Sequence, residues 1–321
     1  WSSDVCSSDL DGQNYMFNNM DATFDLNEVA MVPPATGAQT TTGWANQNLE
    51  MTTWFKFVAP ASGDVRINCT AMNYNGQMAV YSSSACNNIA SFQMMAANDD
   101  DLDGLNQAPN FTVCGLTPGT EYYMMHDAFN LTAGNYAISI HEILLDAGVE
   151  GEALEVCYGD TVNLFLGIAN YQLGGTWSET TPTLGLNDNL FNTNGLASTS
   201  YEFTYTMQDG CASDEANAYV EIFSAPNAGQ GGTINVCLNE PFNLLSGLSG
   251  VVDLTGVWTN PSNIALAGSV DTPGTTGGTF NYTYTASNGV CPDESTTVAV
   301  VVNSGCDFTA GTEELASSFE L

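Results

Sequence analysis

Short stretches in which apolar and polar residues alternate run along most of the chain, each closed by Gly, Asn or Pro. VRINC at Val65–Cys69, YAISI at Tyr136–Ile140, FTYT at Phe203–Thr206 and YTYT at Tyr282–Thr285 are of this kind. A period of two sends successive side chains to opposite faces of a strand, and the turn formers end it. In Trp54–Val58, Phe55 and Phe57 share one face while Trp54, Lys56 and Val58 share the other. That pattern predicts a half-buried strand with Lys56 on the wetter side, paired with a carboxylate. No long amphipathic helical period appears, and no apolar run approaches the roughly 18 residues of a membrane helix. The expectation is an all-β chain of tandem β-sandwiches.

The same landmarks occur twice. DAG at Asp146–Gly148 returns as NAG at Asn227–Gly229, EVC ending at Cys157 as NVC ending at Cys237, and Asn163-Leu164 as Asn243-Leu244. GGTW ending at Trp177 is echoed by TGVW ending at Trp258, FTYT by YTYT, and Cys211 by Cys291. Cys157 to Cys211 and Cys237 to Cys291 are both separations of 54 residues. A shared offset of about 80 residues marks two copies of one domain. The organisation read from this is a first domain at 11–145, copies at 146–226 and 227–303, and a closing segment at 304–321.

A Cys, a Trp some 20 residues on, then strands and a second Cys is an order similar to immunoglobulin-like sandwiches, where a Trp packs near an inter-sheet disulfide. The copies depart from antibody domains in lacking Tyr two residues before the second Cys. The resemblance implies disulfides Cys157–Cys211 and Cys237–Cys291, each contributing roughly 4 kcal/mol in the chain-entropy account. Disulfides imply an oxidising setting. The AG opener, VC…NL, G-x-W, YTYT and Cys-x-x-acid pattern (Cys211 to Asp214, and approximately Cys291 to Asp293) also resembles the Ig-like or PKD-like repeats of large surface proteins in bacteria with type IX secretion.

Residues 11–145 do not fit the repeat. TTWFKFVAPASGDVRINC at Thr52–Cys69, then NDD, GLTPGTEYY and GNYAISI, resemble the bacterial pre-peptidase C-terminal domain. That resemblance implies a jelly-roll-like β-sandwich attached to secreted peptidases or adhesins. Among Cys69, Cys86, Cys114 and Cys306 connectivity is open, with Cys69–Cys114 favoured because both end strands and Cys306 free to pair beyond the segment. DFTAGTEELASSFEL after Cys306 resembles the opening of a type IX sorting domain; a frayed linker is the alternative. Trp1–Leu10 resembles the in-frame translation of a common sequencing adapter and is set aside with its Cys6.

Charge narrows the partners. Lys56 and Arg66 face 36 acidic residues, a formal charge of −34. Without Asp4 and Asp9 the balance is 34 acids against two bases, or −32. Such a chain is repelled by nucleic acid and anionic membrane surfaces and attracts cations, calcium above all. Solubility in a salty medium explains the same charge.

One stretch is concentrated enough to be a site. Asn98-Asp99-Asp100-Asp101-Leu102-Asp103-Gly104 places Asp99, Asp101 and Asp103 alternately before a Gly turn. Alternating carboxylates can converge on a hard cation that takes six to eight oxygens, with Asn98 or a carbonyl completing the set. It is no EF-hand, because Asn110 stands where the twelfth-position Glu belongs. The alternatives are a calcium loop on a β-sandwich and a solvated acidic turn. Trp44 and Tyr74, in Gly/Asn-rich segments, are candidates for stacking on a glycan or peptide; packing under a loop is the other reading.

Catalytic patterns are missing. His126 beside Asp127 reads as structural and His141 as solvated on a polar strand face; no G-x-S-x-G elbow or H-E-x-x-H helix accompanies them. The reading is a non-catalytic part of a secreted or outer-surface bacterial protein, with adhesin or stalk modules meeting an extracellular polymer or protein. The alternative is the accessory region of a secreted hydrolase, a peptidase, whose catalytic domain lies elsewhere.

Overall fold

A computed structural model describes residues 15–70, 72–86, 88–102, 107–272 and 276–306. The adapter-like Trp1–Leu10, the sorting-signal stretch from Asp307 on, and Asp103 and Gly104 of the acidic loop lie outside them. Among the described residues strands carry nearly all the regular structure; the helical pieces there are four short 3-10 turns, Leu26–Met31, Ile89–Ser91, Leu164–Gly167 and Leu244–Gly247. Among the described residues no helix is long and apolar enough to cross a membrane. The chain divides into two compact units, residues 1–150 with 168–178 and 204–217, and residues 151–167 with 179–203 and 218–321.

Residues 15–142, which belong to the first unit, hold eight strands: β1 (Tyr15–Asn18), β2 (Thr53–Val58), β3 (Val65–Thr70), β4 (Gly76–Ser82), β5 (Gln93–Asn98), β6 (Asn110–Val113), β7 (Glu121–Ala128) and β8 (Asn135–Glu142). They form two sheets in the orders β1-β8-β3-β6 and β2-β7-β4-β5, which is jelly-roll topology. Phe55, Phe57, Ile67, Val80, Phe111 and Ile138 fill the space between the sheets. Phe55 and Phe57 are buried as their period requires, and Lys56 Nζ lies 2.7 Å from Glu121. The outer face of the β2-β7-β4-β5 sheet is covered as well. Met31, Trp44 and Leu49 pack there on Ala79, Tyr81, Ala97 and Met125. A sheet buried on both faces reads as a continuous apolar run, which is why Met78–Tyr81 does not alternate.

In the second unit the later copy builds a four-stranded sheet in the order Thr233–Cys237, Glu294–Asn303, Gly278–Ala286, Val257–Thr259. The first pair is parallel and the other two are antiparallel. Trp258, Tyr282, Tyr284, Val298 and Val300 form its core with Phe242 and Leu244. The earlier copy repeats the order with Leu154–Cys157, Ala212–Phe223, Ser200–Asp209 and Thr176–Glu179, the first pair again parallel.

The repeated motifs have a shared physical cause. Asp146 and Asn227 each accept a hydrogen bond from the Gly two residues on, and those glycines have φ of 96° and 72°, where only Gly is unstrained. The buried alanine between them donates its N–H to an acid at the start of the long last strand, Ala147 to Asp214 (2.8 Å) and Ala228 to Glu294 (2.9 Å). Glu294, not Asp293, is therefore the counterpart of Asp214. The tyrosines of FTYT and YTYT tie down the loop before the Trp strand. Tyr205 Oη accepts from Gly175 N–H and donates to the Gln172 carbonyl, and Tyr284 Oη accepts from Gly256 N–H and donates to the Asp253 carbonyl.

Disulfide pairing differs from the expectation. The bonds are Cys114–Cys211, Cys157–Cys291 and Cys237–Cys306, while Cys69 and Cys86 are free. The reason is the parallel pairing. Cys237 lies opposite Asn303, at the finish of the Glu294–Asn303 strand, whereas Cys291 precedes its start. Ten residues of strand put about 30 Å between those positions, against Cα separations of 4.9 to 6.0 Å in the bonds that form. Cys157 lies likewise opposite Phe223, at the finish of its neighbour. The two cysteines of a copy thus stand at opposite ends of the sandwich. The second bonds back to a cysteine of the preceding module, and the first bonds forward to a cysteine of the next copy or of the closing segment. Cys69 ends its strand inside the jelly-roll core and has no partner there.

Candidate functional site

The acidic loop begins where β5 ends. Asn98 is wholly buried: its Nδ2 donates to the Thr40 carbonyl (2.8 Å) and its Oδ1 accepts from Asn110 N–H (3.0 Å). Asp99 is buried too, at 1% exposure, and its Oδ2 accepts from Ala45 N–H at 3.0 Å. Asp99 Oδ1, Asp100 Oδ1 and Asn110 Oδ1 are all buried with no donor among the described residues. Burial pushes the Asp99 carboxyl up to about 6; the Ala45 N–H opposes this, and the Asp100 charge adds to it. Burial also raises Asp100. Asp101 is half-buried. Among the described residues no group of three or more His, Cys, Asp or Glu could hold a metal. Buried acceptors lacking donors are costly, and a proton or a cation relieves them.

The stacking candidates separate. Trp44 has zero exposure and donates Nε1–H to the Met78 carbonyl at 2.8 Å, so it presents no face to a ligand. Its burial corrects the stacking role: the outer sheet face needed an apolar cover and Trp44 supplies it. Tyr74 is half-buried and faces the core edge-on, with ring centroids 6.0 Å from His126 and 6.4 Å from Tyr136.

His126 stacks on Tyr136 at 4.0 Å, with Thr53 Oγ1 3.4 Å from Nδ1 and Tyr74 Oη 3.3 Å from Nε2. Burial pulls its imidazole down to about 3, so it is neutral. Asp127 is the next residue on β7 and points to the other face, so the two cannot act as a dyad. It accepts from Glu50 N–H (3.0 Å), Met51 N–H (2.7 Å) and Gln77 Nε2 (2.9 Å), yet burial pushes it up to about 6. The Cys69 thiol is pushed up to about 12 by burial and sits 3.0 Å from Met72 Sδ, which makes it a poor nucleophile. His141 is exposed, but its same-face neighbours Ala137 and Ser139 are buried, so that face is not a polar one.

The fold therefore defines a class: tandem β-sandwich modules, a jelly roll followed by two Ig-like copies. No protein-family model and no curated protein matches the sequence. Solved structures similar to it include the four N-terminal Ig domains of Dscam1, with a TM-score of 0.30 and 10% identity over 61% of this chain and 58% of that one. Extracellular domains 3–5 of Drosophila OTK give 0.33 and 11% over 80% and 93%. Murine CEACAM1b gives 0.27 and 12% over 46% and 96%. The chain thus spans less than two thirds of the Dscam1 fragment, and overlaps this low carry no argument about function.

Proposed function

We propose that this chain is a covalently stapled run of spacer and display modules from a secreted or cell-surface bacterial protein, of adhesin or stalk type. The observation that supports this is the hand-off of disulfides from module to module. Disulfides belong to oxidising compartments, and bonds placed across module junctions resist extension where a stalk is loaded. Between Cys114 and Cys306 the chain runs 306 − 114 = 192 residues. With the bonds intact, tension passes through Cys114–Cys211, then 237 − 211 = 26 residues of backbone, then Cys237–Cys306. At about 3.5 Å per residue the extensible length falls from about 670 Å to about 90 Å. Single-molecule pulling from both ends, with and without reductant, reads this directly. Long extension that appears only after reduction supports the stalk; full extension of the oxidised chain refutes it.

A calcium-type cation at the Asp99–Asp101 loop forms part of this reading, supported by the buried Asp99 and Asp100 oxygens that lack donors among the described residues. Calorimetric titration of the whole chain with calcium, with Asp99→Asn and Asp101→Asn as controls, is the test. A saturable heat lost in both variants is the expected result, and a wild-type chain without calcium heat removes the idea.

A further inference from the structure

A second place in the first unit is built for a different ligand. The turn after β1 and the 3-10 turn Leu26–Met31 wall a cleft of about 640 Å³ against β2. Asp21, Asp25 and Glu28 line it together with the aromatic rings of Phe17, Phe24 and Trp54, and no Lys, Arg or His is among its lining residues. Glu28 is the fixed element. It is 8% exposed, and its carboxylate accepts from Trp54 Nε1–H (2.7 Å), Thr52 Oγ1–H (2.7 Å) and Asp25 N–H (3.0 Å). All three donors are neutral. The chain's two basic side chains are engaged elsewhere, Lys56 with Glu121 and Arg66 with Asp209. Phe17 is braced on Phe55, ring centroids 4.6 Å apart, while Phe24 is 38% exposed at the cleft.

Negative charge beside aromatic faces selects among ligands. An anion is repelled by three carboxylates. A hard divalent ion gains nothing from rings and prefers a shell of oxygens. An organic cation matches both features, because its charge meets the carboxylates and its carbon-bound surface meets the ring faces. The cleft volume lies in the range of small-ligand sites. We infer that this cleft binds an organic cation, the alkylammonium or guanidinium head of a lysine or arginine side chain. Glu28 and Asp21 are its charge partners, and Phe24 and Trp54 are its aromatic walls.

The test is titration of the whole chain at about 0.15 M salt with Nα-acetyl-lysine methylamide and Nα-acetyl-arginine methylamide, using the norleucine amide as the uncharged control. Calorimetry gives stoichiometry, and the Trp54 indole N–H resonance reports the site. Asp21 and Phe24 are exposed, so Asp21→Asn and Phe24→Ala leave the core untouched. Asp188→Asn, at an exposed loop of the second unit, removes one charge far along the chain. One equivalent of at least one cation binds, the norleucine amide does not, and Asp21→Asn and Phe24→Ala each weaken binding about threefold to tenfold. Three outcomes overturn the inference: equal binding of the norleucine amide, equal weakening by Asp188→Asn, or no binding of either cation up to about 10 mM.

Discussion

Asp99→Asn should stabilise the chain at neutral pH when cations are chelated, although it alters a buried, hydrogen-bonded side chain. The Asp99 carboxyl rises from 3.8 to about 6 because burial disfavours its charge more than the Ala45 N–H supports it. Its folded pKa lies above its unfolded one, so between about pH 4 and pH 6 the folded chain holds more protons than the unfolded chain. Stability from this group is therefore highest below about pH 4, falls as pH rises through that window, and stays low above it. A shift of about two units corresponds to about 3 kcal/mol. The asparagine keeps an oxygen for Ala45 N–H but brings an NH₂ that itself needs an acceptor, so the expected gain is about 1–3 kcal/mol at pH 7.5. Urea unfolding of both proteins from pH 4 to pH 8 in chelator measures it. The variant should be more stable at pH 7.5, with the difference closing toward pH 4. A variant less stable than wild type at pH 7.5, or a difference independent of pH, refutes the reasoning.

Other expectations come from single contacts. Tyr284→Phe removes the hydroxyl that joins Gly256 and Asp253 and should lower stability by about 1–2 kcal/mol in chemical denaturation; an unchanged midpoint would show the clamp to be idle. Glu294→Gln should destabilise the later copy through Ala228, while Asp293→Asn stays within about 0.5 kcal/mol of wild type; equal effects would undo the assignment of Glu294 as the counterpart of Asp214. Native alkylation followed by mass spectrometry should label exposed Cys86 far faster than Cys69, whose thiol is buried and pushed up to about 12. Comparable labelling would mean that the jelly-roll core opens at Cys69.

Period-two patterning was enough to read the strands around Phe55–Phe57, Ile67 and Tyr282–Tyr284, because fully buried and less buried residues alternate along each. The repeat was legible because both copies need the same Asx turn, glycine and tyrosine clamp at the same places. Disulfide partners were not. Spacing along the chain says nothing about which end of a sandwich a cysteine occupies, and that depends on the parallel pairing of Cys237 with Asn303. For Trp44 the packing reading holds and the stacking one does not; its loop-like neighbours left both open, and the signal between them was Met78–Tyr81, apolar on both faces and in need of a second cover. In the acidic loop the alternation of Asp residues was visible, but not that Asp99 is buried and bonded to Ala45 N–H, a long way off in sequence. Of the Glu28 cleft only the Asp25–Glu28 capping box stands in the sequence as a pattern, since the rest of its parts come from separate segments.

The three disulfides also overlap along the sequence: 114–211, 157–291 and 237–306. Every peptide bond between residues 114 and 306 is spanned by at least one of them. A protease that cuts once anywhere in that stretch opens the backbone but releases nothing, because the halves stay joined through sulfur. Pairing within each copy would have left residues 212–236 unguarded, and one cut there would shed everything beyond it. Handing the cysteines from module to module closes that gap by recruiting Cys114 and Cys306 as well, so a chain cut once there stays in one covalent piece until its disulfides are reduced.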